Sequence, residues 1–212
     1  MAKLPAPPSV DELRQNEPKF YQLEGVLWRI HFLTAAHPSV WDGFRYFGPL
    51  PSGRFDPQPA GAAAISSEGV AYVARDIATA LAEVFQVGGS MSRRRTINTV
   101  RRSPYLTGFT VTRPMTLLDL TEVWPVSIGA SHAINTGRKD VTRAWARAFR
   151  EAWPDSDGLY YSSSMTGRPC ATLFNPARSA LPVAPDLSRG LRDDALYRTI
   201  RAAALEIGYD VI

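Results

Sequence analysis

Gly69-Val70-Ala71-Tyr72-Val73-Ala74-Arg75-Asp76-Ile77-Ala78-Thr79-Ala80-Leu81-Ala82-Glu83-Val84 is the stretch on which the reading of this chain turns. Residues 70 to 74 form an apolar run short enough for a strand. Asp76 then suits a helix N-cap, because its side-chain oxygen can accept a first-turn N–H. A helix is predicted from Ile77 to about Gln86, closed by Gly88-Gly89. Ile77, Ala80, Leu81 and Val84 recur at helical spacing and define its apolar stripe. Glu83 lies at the flank of that stripe. A carboxylate placed there loses solvation and needs a partner or a task.

The elements around this stretch are short and mixed. Val26 to Phe32 alternates as a strand, with Trp28, Ile30 and Phe32 on one face and Arg29 and His31 on the other. Residues 38 to 67 are rich in proline and glycine and read as a long irregular region, of the kind that is functional or disordered. Its centre, Gly48-Pro49-Leu50-Pro51-Ser52-Gly53-Arg54-Phe55-Asp56-Pro57, sets Arg54 beside a glycine. Strands are predicted at 106 to 113 and 115 to 120. A helix at 138 to 153 is stopped by Pro154. Gly158 to Ser164 reads as a strand entering a polar turn, and Cys170 to Phe174 as the next strand. A last helix covers 191 to 207. Residues 1 to 20 read as a loose proline-rich arm, and 21 to 212 as one domain. Short strands grouped around a few helices favour an α+β fold over a doubly wound parallel sheet.

Composition narrows the function classes. The chain has 212 residues, 45% hydrophobic and 21% charged, as expected of a globular protein. No segment approaches the roughly 20 apolar residues of a membrane span. The first residues lack the apolar core of a secretory signal, so a cytoplasmic location without membrane attachment is expected. The single Cys170 excludes an internal disulfide and a multi-cysteine zinc site. The three histidines, His31, His37 and His132, lack metal-ligand spacing, so no metal is expected. There is no Walker A loop, no GxGxxG after a strand and no GxSxG elbow. The net charge of +4 suits an anionic small molecule, a nucleic acid or an acidic partner. Arg93, Arg94, Arg95, Arg101 and Arg102 could meet nucleic acid, but the absence of interleaved aromatics favours a solvated loop or an acidic protein partner.

What remains is a set of residue types. Arg29 and Arg54 can grip a pyrophosphate by bidentate, charge-assisted contacts. Tyr72 can stack on a flat ring. Glu83 can steady a developing oxocarbenium ion, and a serine near 163 can orient a ribose or an amide. Such a kit suits cleavage of an N-glycosidic bond in a dinucleotide.

The order and wording of five segments resemble the RES-domain family, named for its arginine, glutamate and serine. They are Leu27-Trp28-Arg29-Ile30; Gly53-Arg54-Phe55-Asp56-Pro57; Ala71-Tyr72-Val73-Ala74 with Thr79 to Val84; Gly158 to Ser163; and Leu173-Phe174-Asn175-Pro176. The resemblance implies an ADP-ribosyltransferase-like fold of short strands in two packed sheets with flanking helices. It implies a toxin of a bacterial toxin–antitoxin pair that consumes NAD+, by hydrolysis or with inorganic phosphate as co-substrate, and needs no cofactor. By the same resemblance Arg29, Glu83 and Ser163 are catalytic, while Arg54, Tyr72 and Asn175 bind substrate. Ser162 and Ser164 leave the register of the serine open. The implied partner is a helical Xre-like antitoxin, and assembly with it or with further copies of the chain is left open. Two rival readings keep their tests: transfer of ADP-ribose to a protein, and a basic nucleic-acid-binding module.

Overall fold

Asp76 does what its position predicts. Its carboxylate accepts the Thr79 backbone N–H at 2.8 Å and the Thr79 hydroxyl at 2.8 Å, starting a helix where the strand before it ends. The computed structural model describes residues 4–34, 38–86 and 95–212. In chain order it contains α1 (Val10–Arg14), β1 (Phe20–Leu23), β2 (Val26–Phe32), β3 (Arg45–Gly48), β4 (Ala64–Ala74), α2 (Ile77–Val84), β5 (Thr96–Ile97) and β6 (Pro104–Thr110). There follow β7 (Met115–Asp119), α3 (Trp124–Ser127), α4 (Lys139–Ala152), β8 (Gly158–Ser162), β9 (Pro169–Leu173), β10 (Leu187–Gly190), α5 (Asp194–Glu206) and β11 (Asp210–Val211).

Among the described residues, eight strands run β1-β7-β8-β9-β4-β2-β6-β10 in one sheet, and β3 adds to β4. A parallel β5–β11 ladder is a small second sheet. In the large sheet β7 and β8 are parallel and the other neighbours antiparallel. The fold is thus α+β, as expected, with one large mixed sheet, a small one and flanking helices.

Side-chain alternation gives this sheet two apolar faces. On one, Ile30, Ala74, Leu106, Leu118, Leu159 and Cys170 pack under the helices. On the other, Leu27, Ala71, Val73, Phe109, Leu117 and Leu173 meet Phe44, Trp41 and the 3-10 turn at Asn175–Ala180. The α4 helix anchors the first face. Trp145 and Phe149 are both fully buried, and the Phe149 ring meets those of Trp145, Trp124 and Trp153 in tilted contacts. Truncating either to alanine costs about 3–5 kcal/mol.

Two sequence expectations are corrected. The N-terminal arm is not loose from Leu4 onward. Ser9 and Glu12 close a capping box on α1, Leu13 is fully buried, and the Trp145 indole donates to the Pro5 carbonyl at 2.9 Å. Residues 38 to 67 are not wholly irregular either, since they hold β3 and the first residues of β4. The proposed Gly88-Gly89 stop of the α2 helix lies outside the described residues.

One feature of the topology positions the site. β2 is paired with β6 along its whole length, from Val26↔Thr110 to Phe32↔Pro104. β4 is paired with β9 from Ala71 to Ala74. Between β2 and β4, however, the register records a single pair, Trp28↔Ala74. Beyond it the two strands diverge, and α2 packs across them.

Candidate active site

A cavity of about 650 Å³ opens in this fork, within the range of small-molecule sites. Arg29, Arg54, Tyr72 and Glu83 all line it. Because the strands part, residues of both sheet faces reach one space. Arg29 comes from the face of Leu27, whereas Tyr72 and Glu83 come from the face covered by α2.

Glu83 is half-buried at the end of α2 and takes a hydrogen bond of 2.5 Å from the Ser163 hydroxyl. Ser163 is 3% exposed, and its oxygen also accepts the backbone N–H groups of Met165 and Thr166 at 3.1 and 3.2 Å. Two donors feed that oxygen and its one proton is committed to Glu83. Ser163 therefore aims the carboxylate. The three neighbouring serines make different contacts. Ser164 lines the cavity and accepts from Arg54 at 3.2 Å, while the Ser162 backbone N–H donates to the Asn135 side chain at 2.9 Å.

The arginines are held by backbone carbonyls. Arg29 donates to the Trp41 carbonyl at 2.7 Å. Burial pushes its pKa down to about 10, opposed by Asp42 and reinforced by Arg45, so it stays a cation at neutral pH. Arg54 donates to the Gly137 carbonyl at 2.6 Å. Carbonyls orient a guanidinium without neutralising it, which leaves the charge available to a ligand.

Tyr72 is fixed by its hydroxyl, which donates to Asp56 at 2.6 Å and accepts the Phe55 backbone N–H at 3.1 Å. Burial, and then the adjacent Asp56, raise its pKa well above the ordinary tyrosine value. The phenol thus stays protonated, and its ring is the part offered to the cavity. Asp56, fully buried, is the hub of this wall. It also accepts from Arg45 at 2.6 Å and from the Leu50 backbone N–H at 2.7 Å. Gly53 permits that closeness, since a Cβ there would sit 2.1 Å from Asp56 Oδ1.

Asn175 is not brought to the cavity. Its amide bridges backbones, accepting from Gly69 N–H at 3.1 Å and donating to the Ser67 carbonyl at 2.8 Å. His31 shares the Arg29 face but is buried between the Ser39 carbonyl and the Thr107 hydroxyl, each at 3.0 Å. His37, Arg93 and Arg94 lie outside the described residues. Arg95 packs on the Tyr209 ring at 5.8 Å, and Arg101 and Arg102 are exposed. Sequence reasoning missed Arg45 and Lys139, which also line the cavity. Arg45 stood in the stretch read as irregular, and Lys139 looked like an ordinary helix start.

A sheet fork in which, among the described residues, the Glu83 carboxylate shares a cavity with Arg29, Arg54 and Lys139 is the class of site this fold builds. The RES domain model matches residues 26–192. The chain belongs to the RES domain family. No curated protein matches it at the level of overall sequence. Its structure is similar to a chain in the crystal structure of the M. tuberculosis MbcT-MbcA toxin-antitoxin complex, with a TM-score of 0.58 and 16% identity over 91% of this chain and 96% of that one. At that identity the likeness speaks for the fold.

Proposed function

We propose that this chain is the toxin of a toxin–antitoxin pair and acts by breaking the bond between nicotinamide and ribose in NAD+. Family membership and the likeness to a chain of a toxin–antitoxin complex support the toxin reading. The observation that carries the chemistry is the Ser163–Glu83 hydrogen bond beside Arg29, Arg54 and Tyr72 in one cavity. On this reading the fold is ADP-ribosyltransferase-like and the partner is a helical, Xre-like antitoxin.

The arginines hold the pyrophosphate and the Tyr72 ring stacks against a planar group of the substrate. As the C–N bond lengthens, its electron pair leaves with nicotinamide, and positive charge develops on the ribose. Glu83, aimed by Ser163, stabilises that charge. Water then attacks the anomeric carbon and gives up a proton, yielding ADP-ribose. Inorganic phosphate as acceptor yields ADP-ribose carrying the phosphate on that carbon. Catalysis is electrostatic positioning by pre-set groups.

Incubation of the purified chain with NAD+, with and without phosphate, tests this by proton NMR. Nicotinamide release that disappears in Glu83→Ala is expected. Intact NAD+ in both conditions would contradict the proposal, and label appearing on a protein target would redirect it to transfer.

A further inference from the structure

Lys139 opens α4 and lines the same cavity as Glu83, on a segment outside the five motifs noted in the sequence. It is half-buried, and among the described residues its ammonium has no hydrogen bond and no carboxylate in ion-pair range. The charges that face it come from three elements: Arg54 and Asp56 on the loop after β3, Glu83 on α2, and Arg143 one turn further along α4. Burial, followed by Arg54, lowers its pKa from the ordinary lysine value, while Glu83 opposes them. A cation set beside other cations, with burial against it, is disfavoured in the empty protein. A bound anion reverses the sign of that arrangement.

Lys139 is also not free to drift from Arg54. The Thr142 hydroxyl donates to the Arg54 carbonyl at 2.7 Å, and Arg54 donates to Gly137 at 2.6 Å. Arg143 donates to the Leu50 and Gly53 carbonyls at 3.1 and 3.2 Å. These bonds stitch the first turn of α4 to the arginine loop, so the backbone that carries Lys139 and the Arg54 guanidinium keep their spacing. A lysine there supplies a point charge beside a planar fork, a pairing suited to adjacent phosphates.

We infer that Lys139 is a further substrate-binding residue, which grips the pyrophosphate of a dinucleotide together with Arg54. The inference rests on the proposed NAD+ reading for its substrate. Lys139→Met and Lys139→Arg test it, with inorganic pyrophosphate as a second probe that needs no turnover. In Lys139→Met the KM for NAD+ rises about tenfold or more while kcat stays within about twofold, the pattern of a lost charged contact made equally in ground and transition states. Lys139→Arg restores most of the affinity. Pyrophosphate binding measured by calorimetry weakens by a similar factor in Lys139→Met, and the melting temperature does not fall below the parent's, because no hydrogen bond or ion pair among the described residues is lost and a disfavoured cation is removed. An unchanged KM together with unchanged pyrophosphate affinity would overturn the inference and leave the NAD+ reading standing. If the parent leaves NAD+ intact yet binds pyrophosphate through Lys139, the NAD+ reading fails and the anion contact stands.

Discussion

Asp56→Ala is the perturbation whose size the structure determines best. The Asp56 side chain is fully buried and its ion-pair partner Arg45 is 22% exposed. Its oxygens accept from Arg45 and the Tyr72 hydroxyl, both at 2.6 Å, and from the Leu50 N–H at 2.7 Å. Truncation takes the acceptor from all these donors at once, at a point where the Asp56 side chain itself is out of water's reach. Removing one partner of a buried pair costs about 3–5 kcal/mol, and for a chain of this size each kcal/mol moves the melting temperature by about 2–4 °C. The expected loss is therefore about 6–20 °C in a thermal melt, with a matching drop in the urea midpoint. Tyr72→Phe, which removes the phenol's bond to Asp56 and the acceptor of the Phe55 N–H but leaves the carboxylate in place, costs less, about 1.5–3 kcal/mol. The double variant falls short of the sum, because the two share a bond. A fall of less than about 1 kcal/mol in Asp56→Ala would refute the view that this carboxylate holds the Tyr72 wall together.

Ser163→Ala removes a hydrogen bond to a charged acceptor, worth about 1.5–3 kcal/mol. Nicotinamide release should slow about 10- to 100-fold in steady-state assays, and a rate within twofold of the parent would mean that Glu83 is oriented by something else. Gly158→Ala places a Cβ 1.9 Å from the Thr172 carbonyl oxygen at a φ of +153°. The β8–β9 pairing must then give way, and a stability loss above about 2 kcal/mol is expected in urea denaturation. His31 supplies a pH test. Burial holds its imidazole below the usual histidine range, opposed by the Ser39 carbonyl. The unfolded chain thus takes up a proton near pH 6.5 that the folded chain refuses, so stability falls as pH drops below about 6.5. Denaturation midpoints between pH 7.5 and 5 should decline less steeply in His31→Gln, and parallel curves would contradict the assignment.

Local signals carried much of this fold. Val26–Phe32, Lys139–Ala152 and Gly158–Ser162 lie where alternation, periodicity and Pro154 put them, and Asp76 caps α2 as its side-chain chemistry implies. The N-terminal segment misled because its prolines say nothing about α1, whose partner helix α4 is more than a hundred residues away. β3 was hidden by the glycines and prolines around it, since its pairing with β4 is a tertiary fact. The site was legible as a list of residues and not as a shape. Arg29 and Glu83 belong to opposite faces of the sheet, and only the parting of β2 from β4 lets them share a cavity. Asn175 shows the converse, a residue of a matching motif whose bonds go to the backbone of β4 itself.

The central claim is that Glu83, aimed by Ser163, works on the nicotinamide–ribose bond of NAD+. Proton NMR of NAD+ mixed with the purified parent chain and with Glu83→Gln, which keeps the size and drops the charge, tests it directly. Free nicotinamide from the parent, and a rate reduced at least a hundredfold in the variant, is the predicted result. Equal nicotinamide release from both proteins, or none from a folded parent with or without phosphate, would contradict the account.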